Sequence, residues 1–199
     1  MPEELAGRWS AFITGLPAVS EIKIPRWVRN GASPVVGGQM HVFGDASRTE
    51  YAAVVYLRFL RRDESHSSHF ITSKNRAAPF KKTSITRLEL LAALLTARLS
   101  EYVRRTLAYE NWPLFCWTDS TIALAWVTGP KHRLQPWVKN RATETHSLTN
   151  KAIWKHCPGH LNPADLATRG ISASHLVVSE LWREDKWPGD LSETPCQIS

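Results

Sequence analysis

Four carboxylate residues occupy positions from which they could act together in catalysis. The sequence predicts that Asp45 ends a first strand, Asp119 ends a fourth strand, Glu89 lies in the first turn of a long helix and Asp165 opens a late helix. In an open α/β sheet, strand ends and helix starts border a shared crevice. Carboxylates gathered there repel one another unless cations neutralise them. Oxygen ligands without Cys or His suit two Mg²⁺ or Mn²⁺ ions, which can clamp the attacking water and the leaving oxygen of a phosphodiester.

Each carboxylate also has a simpler local interpretation. Asp45 can cap a turn, and Asp119 can be the N-cap of the helix that follows it. Glu89 can complete a capping box in which Thr86 is the N-cap. Asp165 can be a favourable charge at a helix start. The placement of all four on successive elements, in this order, favours a shared role.

The pattern of apolar and turn residues predicts the elements that must position these side chains. The predicted strands are Met40–Gly44, Tyr51–Leu60, His69–Ser73, Pro113–Trp117 and Ala152–His156, and the predicted helices are Arg87–Leu107, Ser120–Val127, Pro136–Leu148 and a short one that Asn162–Asp165 opens and Gly170 ends. Three hairpin-like strands followed by alternating helices and strands predict an α/β fold. Its sheet should be mixed, antiparallel at first and parallel later.

The chain divides into three predicted parts. Residues 1–38 are predicted to be a connector with a short helix around Leu5–Ile13 and an extended segment after it. Residues 39–172 should form the α/β domain that contains the four carboxylates. Residues 173–199 should form a C-terminal helix, containing Leu176–Trp182, and a frayed tail.

The basic balance of the chain indicates a polyanionic partner. The net charge is +7, and nucleic acid is the first candidate partner for such a charge. The candidate phosphate contacts surround the predicted Glu89 and Pro136 helices, and they are Lys74, Arg76, Lys81, Lys82, Arg87, Lys131, Arg133, Lys139 and Arg141. Each such contact should be sensitive to salt. A solvated basic face without a partner is the alternative explanation for the same residues.

Composition and cysteine usage favour an intracellular protein. The three cysteines are Cys116, Cys157 and Cys196, an odd number without metal-ligand spacing, so we expect reduced thiols. No apolar run approaches the roughly 18 residues that span a membrane. The first residues also lack the order of regions typical of a signal peptide. Whether the compartment is cytoplasmic or nuclear stays open.

Four short sequence strings, taken in order, resemble the ribonuclease H domain of BEL/Pao-type retrotransposons. The strings are Val42-Phe43-Gly44-Asp45-Ala46-Ser47, Arg87-Leu88-Glu89-Leu90-Leu91-Ala92, Trp117-Thr118-Asp119-Ser120 and Asn162-Pro163-Ala164-Asp165-Leu166-Ala167-Thr168-Arg169-Gly170. The resemblance covers about residues 40–185. Residues 1–38 are similar to the connector that follows the reverse transcriptase in such polyproteins.

This resemblance implies a fold, a reaction and a partner. The fold would be ribonuclease H-like, with a five-stranded mixed sheet flanked by helices. Asp45, Glu89, Asp119 and Asp165 would be the metal-binding and catalytic set for two Mg²⁺ or Mn²⁺ ions. The activity would be endonucleolytic hydrolysis of the RNA strand of RNA–DNA hybrids, leaving 5′-phosphate and 3′-hydroxyl ends. The partners would be the hybrid and an adjoining reverse transcriptase in a parent polyprotein.

Many ribonucleases H carry a histidine before the last aspartate, and two residues could fill this role. His156 ends the predicted fifth strand, whereas His160 lies in the loop before Asp165. Loop placement favours His160, and a surface histidine without a role explains it as well. A zinc site from His156, Cys157 and His160 lacks an obvious fourth ligand.

The chain departs from the family pattern near its C-terminus and in lacking a polymerase motif. The tryptophan clusters that usually end the family's domain are eroded at Leu181-Trp182-Arg183 and Lys186-Trp187-Pro188-Gly189, and the Tyr-x-Asp-Asp of a reverse transcriptase is absent. These features indicate a fragment, a degraded copy or a host-retained remnant. An inactive scaffold of the same fold is therefore an alternative, which the intact carboxylates disfavour.

Two other classes of protein fit the sequence less well. An aspartic protease would need Asp-Thr/Ser-Gly, and neither Asp45-Ala46-Ser47 nor Asp119-Ser120-Thr121 supplies the glycine. An integrase would place its glutamate last, whereas Glu89 is second of the four carboxylates here.

Overall fold

The computed structural model describes residues 3–24, 33–81 and 83–182. Within these residues the chain forms five strands, six α-helices and two short 3-10 helices, at Leu16–Glu21 and Gly159–Leu161. The strands are β1 (Val35–Ala46), β2 (Glu50–Arg61), β3 (His66–Ala77), β4 (Leu114–Thr118) and β5 (Ile153–His156). The helices are α1 (Glu3–Gly15), α2 (Ile85–Leu107), α3 (Thr121–Thr128), α4 (Pro136–Leu148), α5 (Asp165–Arg169) and α6 (Ala173–Val178). None of these helices is long and apolar enough to cross a membrane.

The five strands form one mixed sheet in the order β3-β2-β1-β4-β5. β1 pairs antiparallel with β2, and β2 pairs antiparallel with β3. β4 lies parallel to β1, and β5 lies parallel to β4. The predicted α/β class and mixed sheet are therefore confirmed. Because β1 and β4 are parallel neighbours, their last residues emerge at the same edge of the sheet, which is where the candidate carboxylates lie.

The strands of the hairpins are longer than their apolar stretches suggest. β1 extends from Val35 through two glycines to Ala46, and β3 continues to Ala77 with polar, exposed residues. Backbone pairing with β2 runs along both strands. Hydrogen bonding to a long neighbour supplies the stability that side-chain patterning alone does not predict. The bounds of α4, in contrast, match the prediction at both ends.

Two predictions for the flanking segments are wrong in detail. The segment after the first helix was expected to be extended, but Leu16–Glu21 is a 3-10 helix with a proline in its first turn. Proline has a fixed backbone φ that suits the first turn of a helix. The predicted helix containing Leu176–Trp182 instead spans Ala173–Val178, where Ser172 caps its start by accepting a hydrogen bond from the His175 amide.

The long helix α2 packs against the sheet and lies close to the end of β1. Leu95, Leu99 and Val103 belong to a buried cluster with residues of β1 and β2. In its middle turns the helix lies very close to β1: a Cβ on Gly44 would meet the Thr96 hydroxyl at 2.5 Å and the Ala92 carbonyl oxygen at 3.3 Å. The glycine before Asp45 therefore allows the close approach that brings α2 to the end of β1.

Candidate active site

Asp45 and Asp119 follow neighbouring positions at one edge of the sheet. Gly44 pairs with Thr118 in the parallel ladder of β1 and β4, so the next residue of each strand is one of the two aspartates. The carboxyl groups of Asp45 and Asp119 are close enough to share a hydrogen bond. The strand-end placement predicted for both residues is thus observed, and it brings them together.

Asp45 is the most buried of the four carboxylates, with 4% of its surface exposed. Burial is the main cause that raises the pKa of its carboxyl to about 6. The nearby charges of Asp119 and Asp165 contribute to this rise, and a hydrogen bond from the Thr168 hydroxyl opposes it. This hydroxyl, itself buried, donates to Asp45 Oδ2. The site therefore holds a carboxylate whose negative charge lacks sufficient compensation from the protein.

Glu89 joins the site through Ser120 rather than through its own helix start. Ser120 Oγ donates a hydrogen bond to Glu89 Oε2 at 2.5 Å and accepts one from the Ala123 amide at 3.1 Å. The capping-box interpretation of Glu89 is wrong, because the N-cap of α2 is Ser84, two residues before Thr86. The earlier helix start also places Glu89 in the second turn of α2 rather than in the predicted first turn. Ser120 bridges the start of α3 to Glu89 and so fixes the glutamate beside the end of β4.

Asp119 is not a helix cap either, because Ser120 takes that position at the start of α3. The main cause that raises the pKa of the Asp119 carboxyl is burial, and the charges of Glu89 and Asp165 add to it. The His156 ring donates from Nε2 to the Asp119 carbonyl oxygen, 3.0 Å away. Asp119 thus interacts with each of the three other carboxylates: with Asp45 by a hydrogen bond, and with Glu89 and Asp165 by charge repulsion.

Asp165 stands in the first turn of α5 and forms an ion pair within that helix. Arg169 Nε lies 2.5 Å from Asp165 Oδ1, in the i,i+4 arrangement. The side chain of Arg169 is 73% exposed, whereas that of Asp165 is 22% exposed. The predicted end of this helix at Gly170 is confirmed, and the glycine there has a positive φ of 71°.

A buried asparagine fixes α5 against β1. The side chain of Asn162 is fully buried, donates from Nδ2 to the Gly44 carbonyl oxygen at 3.0 Å and accepts from the Ala164 amide at 3.1 Å. One side chain thus connects the residue before Asp45 to the residue before Asp165. Sequence reasoning assigned no role to Asn162, Ser120, Thr168 or Arg169, although all four stand inside the strings that carry the family resemblance.

The donor chemistry of the site suits divalent cations. Its four carboxylates offer only oxygen atoms, and the raised pKa values of Asp45 and Asp119 reflect burial and mutual repulsion that a cation would relieve. Over residues 3–24, 33–81 and 83–182, no group of three or more His, Cys, Asp or Glu side chains already stands in a ligand arrangement.

The two candidate histidines differ in their surroundings. His156, at the end of β5, contacts the Asp119 backbone as described above. His160 is exposed in the 3-10 helix Gly159–Leu161, on the segment that leads to α5. Cys157 is buried, and burial raises the pKa of its thiol to about 12, so it favours the protonated thiol over a metal-binding thiolate.

Two of the predicted phosphate contacts lie on the carboxylate edge of the sheet. Lys74 and Arg76 are exposed near the end of β3. Arg76 pairs with Tyr51 across the sheet, while Asp45 pairs with the adjacent Ala52 on the same strand. Because side chains alternate along a strand, those of Lys74 and Arg76 lie on the opposite face of the sheet from Asp45, against α2, although at the same end of the strands.

A tryptophan with two arginines stands beside the start of α2. Arg141 Cζ lies 3.7 Å and Arg87 Cζ lies 5.1 Å from the centroid of the Trp137 ring. Arg141 Nη1 also donates to the Trp137 carbonyl oxygen at 3.0 Å. The arrangement presents two cations and an aromatic ring two residues from Glu89, a combination suited to a nucleic-acid strand.

The other predicted cations divide into exposed ones and one with a structural contact. Lys81, Arg133 and Lys139 are exposed. Lys131 instead donates to the Val127 and Gly129 carbonyl oxygens, each at 2.6 Å, and so satisfies the end of α3. Lys82 lies outside the described residues.

Comparison with known proteins defines the class of this domain. The family model for the Pao retrotransposon-like RNaseH-like domain matches residues 1–120. The chain belongs to this family. The match includes Asp45, Glu89 and Asp119, while Asp165 lies beyond it. No match was found among curated proteins.

Solved structures that resemble the chain include ribonucleases H and a viral protease-reverse transcriptase. The RNase H1 of Halobacterium salinarum is 12% identical, with 64% of this chain and 89% of that chain covered and a TM-score of 0.41. The N-terminal RNase H domain of a Mycobacterium tuberculosis protein is 12% identical, with 71% and 96% covered and a TM-score of 0.43. The prototype foamy virus protease-reverse transcriptase is 13% identical, with 79% and 21% covered and a TM-score of 0.35.

Proposed function

We propose that this chain is a divalent-cation-dependent endonuclease that hydrolyses the RNA strand of RNA–DNA hybrids. One observation carries the proposal: Asp45, Glu89 and Asp165, from three different elements, all lie within electrostatic reach of Asp119 at one edge of the sheet. Such an arrangement costs stability, because the charges repel one another and Asp45 is buried. A function that requires cations at this edge accounts for the arrangement.

The residues of the chain have separate roles in this proposal. Asp45, Glu89, Asp119 and Asp165 would hold two Mg²⁺ or Mn²⁺ ions, which when bound lower the pKa of a water and stabilise charge on the leaving oxygen. Ser120 positions Glu89, and Thr168 positions Asp45. We assign proton transfer to the leaving 3′ oxygen to His160. Both histidines are exposed, but the ring of His156 is held by the Asp119 carbonyl, whereas His160 lies on the segment that leads to Asp165.

The hybrid would lie across the same edge, held by cations on both sides of the carboxylates. Lys74 and Arg76 stand on the β3 side, and Arg87 with Arg141 and Trp137 stands on the α4 side. Lys131 has no direct place in this surface, since its ammonium is occupied at the end of α3. An adjoining reverse transcriptase would supply the rest of the duplex contact in a parent polyprotein.

The decisive experiment is the cleavage of a strand-labelled RNA–DNA hybrid in Mg²⁺, in Mn²⁺ and in chelator. We expect cuts in the RNA strand only, with 5′-phosphate and 3′-hydroxyl ends, and none in chelator. The Asp119→Asn variant, purified in parallel, controls for contaminating nuclease and should be inactive. Asp63→Asn removes an exposed carboxylate from the turn between β2 and β3 and should cut like the wild type.

A second candidate function is a catalytically inactive binding module of the same fold. The observation that favours it is that Asp45, Glu89 and Asp165 each already accept a hydrogen bond from a protein donor. Folded wild-type protein that binds the hybrid but cuts neither strand in Mg²⁺ or Mn²⁺ would establish this function instead.

Substitution of Arg87 should weaken hybrid binding and reduce its dependence on salt. Arg87→Gln removes one exposed cation beside Trp137, and one phosphate contact contributes about 0.9 to the slope of log affinity against log salt. The slope is measured by titrating labelled hybrid at several salt concentrations, on the Asp119→Asn background. Arg62→Gln, in the turn at the opposite edge, makes the same charge change and should leave the slope unaltered. Equal slopes for both variants would remove Arg87 from the substrate surface.

A further inference from the structure

The ion pair between Arg169 and Asp165 places a protein cation on a carboxylate that the proposed function assigns to metal binding. Among the residues that the structure describes, no other salt bridge involves any of the four carboxylates. Arg169 Nε lies 2.5 Å from Asp165 Oδ1, so the guanidinium occupies an oxygen that a metal ion would need. The contact is therefore in competition with cation binding.

The charges around Arg169 explain why it stays there in the absence of other cations. The guanidinium is hydrogen-bonded to Asp165, and the more distant charges of Asp45 and Asp119 also attract it. The arginine thus partly neutralises the whole cluster, not only its nearest partner. The repulsion among the four carboxylates is weaker with this counter-ion present than it would be without it.

The geometry also allows Arg169 to leave without unfolding its helix. Its side chain is 73% exposed, so rotation into solvent meets little packing. The backbone of α5 is held by other contacts: the buried Thr168 hydroxyl bonds to Asp45, and Asn162 connects the preceding turn to β1. Asp165 therefore keeps its position when the arginine departs.

We propose that Arg169 is an internal counter-ion that occupies Asp165 in the cation-free protein and is displaced when a divalent cation binds there. This inference rests on the proposed function, since it takes Asp165 to be a metal ligand. Arg169 then sets the cation concentration at which the Asp165 site fills. The residue is a positioning residue for the site and need not touch the substrate.

The test is Mn²⁺ binding to the substrate-free protein, measured by calorimetry or by the loss of the free-ion paramagnetic resonance signal. Arg169→Gln should tighten the site that depends on Asp165 by roughly two- to fivefold, the range expected for loss of a competing exposed ion pair. The gain should be absent when Asp165→Asn is combined with it. Arg98→Gln removes a second exposed arginine, which pairs with Glu144, and controls for the change in net charge.

The outcomes separate this inference from the proposed function. Unchanged or weaker Mn²⁺ binding by Arg169→Gln, with an Asp165-dependent site present in the wild type, overturns the inference alone. A similar gain in Arg98→Gln also overturns it, because net charge would then be the cause. Absence of any Mn²⁺ binding by folded wild-type protein overturns both the inference and the cation-dependent function.

Discussion

Replacement of Asp45 with asparagine should abolish hybrid cleavage and, at the same time, stabilise the cation-free protein at neutral pH. The carboxyl of Asp45 is buried and has a pKa raised to about 6 from an ordinary 3.8. Asparagine has nearly the same shape and can still accept the hydrogen bond from Thr168. It removes the negative charge that the fold tolerates poorly and that cation binding requires.

The sign of the pH dependence follows from the raised pKa. Between about pH 4 and pH 6 the folded protein keeps a proton that the unfolded chain releases, so the free energy of unfolding falls as the pH rises through this window. Above pH 6 the contribution of Asp45 is constant. A difference of about two pKa units corresponds to about 3 kcal/mol. Asp45→Asn should therefore gain up to about 3 kcal/mol over the wild type at pH 8.

Urea unfolding in chelator at pH 5 and pH 8, together with cleavage in Mg²⁺, checks this expectation. The variant should show a weaker loss of stability with rising pH and cleavage reduced by at least about a thousandfold, the scale on which lost electrostatic stabilisation acts in enzymes. Asp63→Asn should show neither effect, because its carboxylate is exposed and distant from the site. An Asp45→Asn protein that is less stable than the wild type at pH 8 would contradict the assignment of Asp45 as a repelled, buried charge.

Replacement of Asn162 with alanine should destabilise the protein by about 3 kcal/mol, because it leaves two buried backbone groups without partners. These groups are the Gly44 carbonyl, 3.0 Å from Asn162 Nδ2, and the Ala164 amide, 3.1 Å from Asn162 Oδ1. The lost contacts connect the end of β1 to the turn before α5. Cleavage should therefore fall further than the loss of folded protein explains, since Asp45 and Asp165 lose their common support.

The measurement is urea unfolding combined with cleavage at a temperature at which the variant is fully folded. Asn150→Ala, at an exposed position in the turn after α4, is the matched control and should resemble the wild type. Normal cleavage by folded Asn162→Ala would show that Asn162 supports the fold without positioning the carboxylates.

The sequence by itself determined the class of fold and the candidate catalytic residues, because both depend on local signals. Apolar stretches and turn residues marked the elements, and a proline in the first turn gave the start of α4 at Pro136. Carboxylates at strand ends and helix starts were visible for the same reason. Strand lengths were less accessible, because β1 and β3 extend as far as their pairing with β2 rather than as far as their apolar residues.

Only the tertiary structure decided which donor holds which carboxylate. Ser120 bonds to Glu89 across 31 positions of the chain, and Thr168 bonds to Asp45 across 123. The local alternatives failed at the same positions, since Ser84 and Ser120, rather than Thr86 and Asp119, cap their helices. Contacts between distant residues depend on the packing of the sheet edge against α2 and α5. No short-range pattern encodes that packing, so the support of the site emerges only when the elements come together.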